Sequence, residues 1–344
     1  MATSKKNLYE HFKFTVDPGQ EPIRIDKFLV TRIANASRSR IQQATYRDQV
    51  FVNEVPVKAS YKVQPNDNIR IMMREPRRNT ENLAEDIPID IIYEDDQFLI
   101  VNKEAGMVVH PAHGNYTGTL INALIHYFNN SGHKGLQNVG PHLVHRIDKN
   151  TSGILVVAKD AISKDFLGDQ FFYHTIERTY YALVWGDVKE NEGTIEGNID
   201  RHKVDRKRYT VYPDGDRGKN AITHYKVIER FGYVTLIQCN LETGRTHQIR
   251  VHLKHIGHPL FNDEVYGGSN ILRGTTFTKY KQFVKNCFQL MPRQALHAKS
   301  LGFIHPKTKE EVYFESPFPE DFQAVLDKWR NYVKHKDIFE TNES

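Results

Sequence analysis

Apolar and polar side chains alternate from His11 to Val16, the period of a strand. Phe28, Leu29 and Ile33 then fall at helical spacing, and Asp26 stands where a helix N-cap would. Ser37 is placed to cap a second helix, SRSRIQQATYRDQ, with Ile41, Ala44 and Thr45 facing inward and Arg38, Arg40 and Arg47 outward. VFVNEVPV predicts a short hairpin turning at Asn53-Glu54, and DNIRIMMR a further strand. Residues 75–87, EPRRNTENLAEDI, are polar without a period and read as a linker. They separate a small unit, 1–74, from a large one, 88–335, which a polar tail, 336–344, follows.

In the large unit IDIIYEDDQFLIVNK predicts two strands around an acidic turn. GTLINALIHYF carries a helical stripe of Leu120, Leu124, Ile125 and Phe128. LVHRID and GILVVAK read as strands around a loop, DFLGDQFFYH as a helix and RTYYALVWG as a strand. Strands are predicted again at KRYTVYP, THYKVIER and VTLIQCNLE, and a helix at THQIRVHLKHIG. ALHAKSLGFIHP and EVYFESP close the sheet, and residues 320–334 form a late helix. Strands outnumber helices with no regular βαβ alternation. The fold class is therefore α+β, a mixed, largely antiparallel sheet preceded by a small α+β unit.

Composition adds a core and excludes a membrane. Of 344 residues 39% are hydrophobic and 26% charged, enough for buried cores in a soluble chain. No apolar run has the length of a membrane span, and MATSKKNLYEHF does not read as a signal peptide. Cys239 and Cys287 are far apart, without metal-ligand spacing, which fits a reduced, cytoplasmic compartment. Charge is unevenly placed. Residues 1–80 hold 15 Lys and Arg against 8 Asp and Glu, whereas the rest of the chain is nearly neutral. A basic small unit with projecting arginines suits a polyanion such as a phosphate backbone, the alternative being a merely solvated basic face.

The candidate chemistry centres on LVHRIDKNTSGILVV. If LVHRID is extended, Arg146 and Asp148 share one face and His145 and Ile147 the other. KNTSG is turn chemistry, so Asp148 ends a strand at the border of a loop, where a rigid support can present a reactive group. Its cationic neighbours favour the ionised carboxylate, suited to a nucleophile or electrostatic stabiliser and unsuited to a general acid. The alternative is a purely structural salt bridge. No second carboxylate is evident nearby, which counts against a glycosidase pair.

LETGRTHQIRVHLKHIGHP puts Arg250 at the margin of a buried stripe of Ile249, Leu253 and Ile256. A buried guanidinium needs an anion, and Asp148 could serve as a bidentate partner. His247, His252, His255 and His258 lack acidic neighbours, which argues against zinc and leaves structural or RNA-contacting roles. Tyr180 and Tyr181 point to opposite strand faces, one ring filling the core and one free to stack on a base. HPAHGNYTG, with His110, is a polar loop placed either to contact phosphate or simply to connect.

RIDKFL, SRSRIQQ, VFVN and NDNIRI together resemble the small RNA-binding domain named after ribosomal protein S-four. Through that resemblance Arg38, Arg40 and Lys62 fall at positions expected to face RNA, and Glu54 stands where many members have Gly. VVHPAHGNYTGTLINAL, HRIDKNTSGILVVAK, ERTYYALVWG and LETGRTHQIRVHLKHIGHPLFNDEVYGG resemble, in order, the RluA-type family of pseudouridine synthases over about residues 88–317. The small domain and RHKVDRKRYTVYPDGDRGKNAITHYKV most resemble the subgroup acting on large-subunit ribosomal RNA. Ile147 and Arg178 depart from the usual Leu and Lys, changes expected not to touch the chemistry.

The resemblance implies breakage of the uridine N-glycosidic bond, rotation of the base and rejoining through carbon, with no cofactor and no metal. It implies Asp148 as the catalytic aspartate and Tyr180 as the tyrosine stacking on the target base. It implies Arg250 as the partner of the aspartate, with Arg245 a second candidate, and Arg146 as the arginine that occupies the space of the flipped nucleotide. His145, His247 and His110 join the expected RNA contacts. A monomer is the default. Transfer RNA as substrate, a non-catalytic ribosome-assembly factor, and a glycoside hydrolase are the competing readings.

Overall fold

The computed structural model describes residues 9–33, 36–73, 83–112, 114–130 and 141–341. The chain divides into two compact units, 1–81 and 82–344, a boundary inside the predicted linker. The first holds strand β1 (Tyr9–Thr15), helices α1 (Ile25–Arg32) and α2 (Arg38–Tyr46), and strands β2 (Val50–Val52), β3 (Val55–Pro56) and β4 (Asn68–Met73). The strands pair in the order β1-β4-β2-β3, and the helices close over a core that includes Val16, Ile25, Leu29, Val50 and Ile69.

Ser37 caps α2, accepting the N–H of Arg40, and Ile41, Ala44 and Thr45 are its buried residues, as the pattern predicts. The hairpin turns at Asn53 and Glu54, both left-handed with φ of 49° and 68°. Glu54 tolerates a conformation that favours glycine, and its carboxylate lies 2.7 Å from Nη1 of Arg70. Asp26 does not cap α1. Arg24 occupies the N-cap without a side-chain capping bond, and Asp26 lies within the first turn, fully buried. Its carboxylate accepts from Arg24, Arg38 and Gln42, because a buried anion needs donors more than the helix end needs a cap.

The second unit opens with β5 (Asp90–Glu94), β6 (Phe98–Lys103), α3 (Leu120–Asn130), β7 (His142–Leu143), β8 (Ser152–Ala158), α4 (Ala161–Phe172) and β9 (Glu177–Trp185). It continues with β10 (Glu192–Arg201), β11 (Tyr209–Tyr212), β12 (Lys219–Arg230), β13 (Val234–Leu241), α5 (Gln248–His255) and α6 (Thr278–Leu290). β14 (Leu296–Ile304), β15 (Glu311–Glu315) and α7 (Glu320–Thr341) complete it. One sheet runs β11-β10-β12-β13-β9-β14-β8-β6-β5, with β15 beside β14 and β7 beside β8. Its β14–β8 pair is parallel and the other pairs are antiparallel, the mixed, mostly antiparallel sheet of an α+β fold.

Both faces of this sheet are covered. Along β9, Tyr180, Ala182 and Val184 face a core shared with α3 and α5, whereas Leu183 and Trp185 face one built by α6 and α7. The period of two thus divides one apolar run between two cores. Gly153 sits where β8 meets β14. A Cβ there would lie 2.1 Å from the carbonyl oxygen of Ala298, and φ is 113°, so only glycine permits the parallel junction.

Three expectations need correction. Of LVHRID only Leu143 lies in a strand, as the second residue of the short β7. β8 shares that edge between β7, at Val157–Ala158, and β14, at Ser152–Gly153. Between them the imidazole Nε2 of His145 accepts the Val156 N–H at 3.0 Å, the bond a continuing strand would have made. β10 and α6 were not anticipated. The first is polar and glycine-punctuated; the second shows a stripe at Tyr280, Val284 and Cys287. The late helix also runs on into the predicted tail as far as Thr341, while 342–344 and residues 74–82, which include most of the linker, lie outside the described residues.

Candidate active site

Asp148 stands in the loop between β7 and β8 where two lobes of one cleft meet, of about 390 Å³ and 740 Å³. Arg146, Ile147, Asp148, Thr246, His247 and Arg250 line both, and Tyr180, Arg178 and Arg245 line the smaller. The loop is pinned from below. Lys103, at the end of β6 and fully buried, donates from Nζ to the carbonyls of Glu104, Met107 and Lys149 at 2.6, 3.0 and 3.1 Å. Arg293 reaches the carbonyl of Asn150 at 3.2 Å while its fork holds Asp321 at 2.6 and 2.8 Å.

One oxygen of Asp148, Oδ2, accepts from Nη1 of Arg250 at 2.9 Å, so Arg250 rather than Arg245 is its partner. The predicted bidentate bond goes elsewhere. Nε and Nη2 of Arg250 clasp Asp263 at 2.7 and 3.0 Å, and the third side of the guanidinium serves Asp148. Asp263 is fully buried and also accepts the N–H groups of Val265 and Tyr266. It is the second carboxylate that the sequence reading missed, 13 residues beyond Arg250 in FNDEVYGG. An arginine so buried implies an acid with a fixed fork, but spacing alone does not say which. Burial opposes the charge of Arg250, and the carboxylates of Asp263 and Asp148 outweigh it, raising its pKa further.

His247, at φ 58° in the N-cap position of α5, places Nε2 3.8 Å from Asp148 Oδ2. Its Nδ1 lies 2.8 Å from the hydroxyl of Tyr266, which accepts the Tyr209 N–H. A hydroxyl already accepting there can donate to Nδ1, an assignment that leaves the ring proton on Nε2, toward Asp148. Burial lowers the His247 pKa, and the ring is neutral at pH 7. Tyr180 is buried among Ala182, Ile237 and Leu296 yet lines the small lobe, and burial raises its pKa. Its phenol is therefore protonated at neutral pH.

The remaining predicted residues separate. Arg146 is exposed and lines both lobes. Arg245 donates from Nε to the carbonyl of Asn220 at 2.9 Å. His145 is held by Val156 and stacks on Phe171, with centroids 4.6 Å apart. His110 is exposed and lines neither lobe. Arg38, Arg40 and Lys62 lie exposed in the first unit, where Arg38 shares Asp26 with Arg24.

Burial, its largest cause, lowers the pKa of His145 to about 3 and those of His252 and His297 to about 4. Lys103 falls to about 7 for the same reason. Each is a base depressed in the folded protein, so the unfolded chain binds more protons between the two pKa values and stability rises with pH there. The urea midpoint is expected to fall as pH drops from about 9 to 5, first through Lys103 and then through the histidines. A midpoint constant over that interval would contradict these environments.

Residues 97–255 match the family model described as RNA pseudouridylate synthase. An "Uncharacterized RNA pseudouridine synthase" of Chlorobaculum parvum is 45% identical over 316 residues, 91% of this chain and 96% of that one. A "Ribosomal large subunit pseudouridine synthase D" of Nitrosomonas europaea is 39% identical over 319 residues, 93% of this chain and 88% of that one. Human RNA Pseudouridylate Synthase Domain Containing 4 shares the fold, at 22% identity and a TM-score of 0.54, over 70% of this chain and 93% of that one. The chain belongs to the RNA pseudouridine synthase family. It is an RNA pseudouridine synthase, an isomerase.

Proposed function

We propose that the protein isomerises uridine in large-subunit ribosomal RNA, with Asp148 as the catalytic carboxylate. The observation that carries this reading is the single-sided bond of Asp148 to Arg250 at the junction of the two lobes. It holds a charged carboxylate in place with Oδ1 unengaged by any other described residue. A uridine must leave its stack before a side chain can reach its glycosidic bond, at a cost of a few kcal/mol. Arg146, exposed and lining both lobes, is placed to fill the space it leaves. In the small lobe the base lies against Tyr180, and Asp148 acts at the sugar or the base while the glycosidic bond breaks. Rotation then presents carbon to the same anomeric centre. No activated water is required, because the detached base itself returns to the sugar.

The ribosomal assignment draws support from relatives named for the large subunit and from the basic first unit. That unit, with Arg38, Arg40 and Lys62 exposed, acts here as an S-four-type RNA-binding domain. The enzyme works as a cytoplasmic monomer without cofactor or metal. The test is to map pseudouridine in ribosomal and transfer RNA from cells lacking the gene. Loss confined to large-subunit RNA is the expected result. Loss in transfer RNA alone would overturn the substrate assignment.

A further inference from the structure

Three arginines of the second unit are buried to a similar depth: Arg178 at 7% exposure, Arg250 at 5% and Arg293 at 7%. Arg250 clasps Asp263 and Arg293 clasps Asp321. Arg178 has no carboxylate partner among the described residues. Its Nη2 donates to the carbonyls of Leu241 and Glu242 at 3.1 and 2.7 Å, and its Nε is buried without a partner. The carboxylate of Glu242 is turned instead to His224, at 2.6 Å. Nη1 of Arg178 makes no hydrogen bond with a described residue. Gly244 leaves the approach to it open, since a Cβ there would lie 2.9 Å from that nitrogen.

Arg245 lines the same lobe and is likewise without an acid, its Nε meeting only the carbonyl of Asn220. Two guanidiniums without counter-charge in one lobe are costly to keep there, and burial and Arg245 both weaken the charged form of Arg178. A site of this kind is completed by an anion from outside. The same lobe is walled by Phe172, 73% exposed, and by His174. A bare aromatic face beside paired arginines suits a phosphate that carries a nucleobase with it.

We propose that Arg178 and Arg245 form a phosphate subsite that takes the RNA backbone phosphate next to the uridine entering the Tyr180 lobe, with Phe172 stacking the neighbouring base. The assignment rests on the reading of that lobe as the uridine's.

The test measures binding rather than turnover. Full-length protein carrying Asp148→Asn is titrated with an unmodified large-subunit RNA transcript over a range of sodium chloride concentrations. Added Arg178→Gln or Arg245→Gln is expected to weaken binding about tenfold and to flatten the salt slope by about 0.7 each. The pair is expected to lose less than the sum of the two. Arg178→Lys should keep the slope, and the half-buried Arg245 can be replaced without emptying a core. At matched ionic strength, inorganic phosphate should displace the RNA more strongly than chloride from the parent, and no more strongly from Arg178→Gln. An unchanged slope in folded Arg245→Gln overturns the proposal. Phosphate competition without a slope change assigns the site to free phosphate and overturns the RNA source. Absence of isomerisation by the wild-type protein would sink the functional reading alone, because the slopes are read without turnover.

Discussion

Asp148→Asn is expected to reduce tritium release from RNA labelled at uridine carbon-5 by about a thousandfold or more, while RNA affinity changes only a few fold. The substitution is nearly isosteric, and the amide oxygen can still accept from Nη1 of Arg250, 2.9 Å from Oδ2 in the present arrangement. What it removes is the negative charge and with it, on the proposed mechanism, the nucleophile or proton acceptor. Affinity is carried elsewhere, by cations along the RNA backbone, and so survives. The competing readings predict different outcomes. A ribosome-assembly factor would keep its binding and would show no release in the wild type to lose. A hydrolase would liberate free uracil, which an isomerase retains on the sugar. Full release by Asp148→Asn would remove Asp148 from the chemistry.

Most of the framework was legible where a side chain's environment follows from its neighbours in sequence. The hairpin at Asn53-Glu54, the Ser37 cap and the split of Tyr180 from Tyr181 all obey local periods, and each appears where the pattern placed it. The failures share a different origin. Asp26 stands near a helix end, where local sequence suggests a cap, but its partner Arg38 is 12 residues away across a helix packing. LVHRID alternates like a strand, yet β14 and the ring of His145 take the edge it would have used. β10 is long and mostly polar, with only Ile195 and Ile199 as buried apolar residues, so it carries no period of two to recognise. In the site, Asp148 and Arg250 were legible as a charged pair, 102 residues apart, only because each had a visible reason to be charged and near the core. Asp263 and Lys103 were not, because their importance lies in who faces them. Arg178 is the sharper lesson. Its sequence neighbours give no sign of a site, but the structure gives it a place in the lobe and leaves it without an acid among the described residues.

The second large effect concerns Asp263. It is fully buried, and Arg250 is the one cation clasping it among the described residues. Arg250→Gln strands that carboxylate in the interior, and removing one partner of a buried pair costs about 3–5 kcal/mol. For a unit of this size the melting temperature should fall by roughly 10 °C. Isomerisation should also collapse, since Asp148 loses its only close cationic contact among the described residues. Stability and chemistry can be separated by adding Asp263→Asn. The amide oxygen keeps the N–H bonds of Val265 and Tyr266, and the amide NH₂ can donate to the new glutamine in place of the lost fork. A neutral, hydrogen-bonded pair then replaces a charged one. Thermal denaturation is expected to recover most of the lost stability in the double variant, and tritium release is expected to stay at the level of Arg250→Gln. Recovery of both would make Arg250 a purely structural support. Recovery of neither would mean that Asp263 needs its charge for the fold itself. The expected split assigns Asp263 the task of aiming Arg250, and Arg250 the task of holding the carboxylate that reacts.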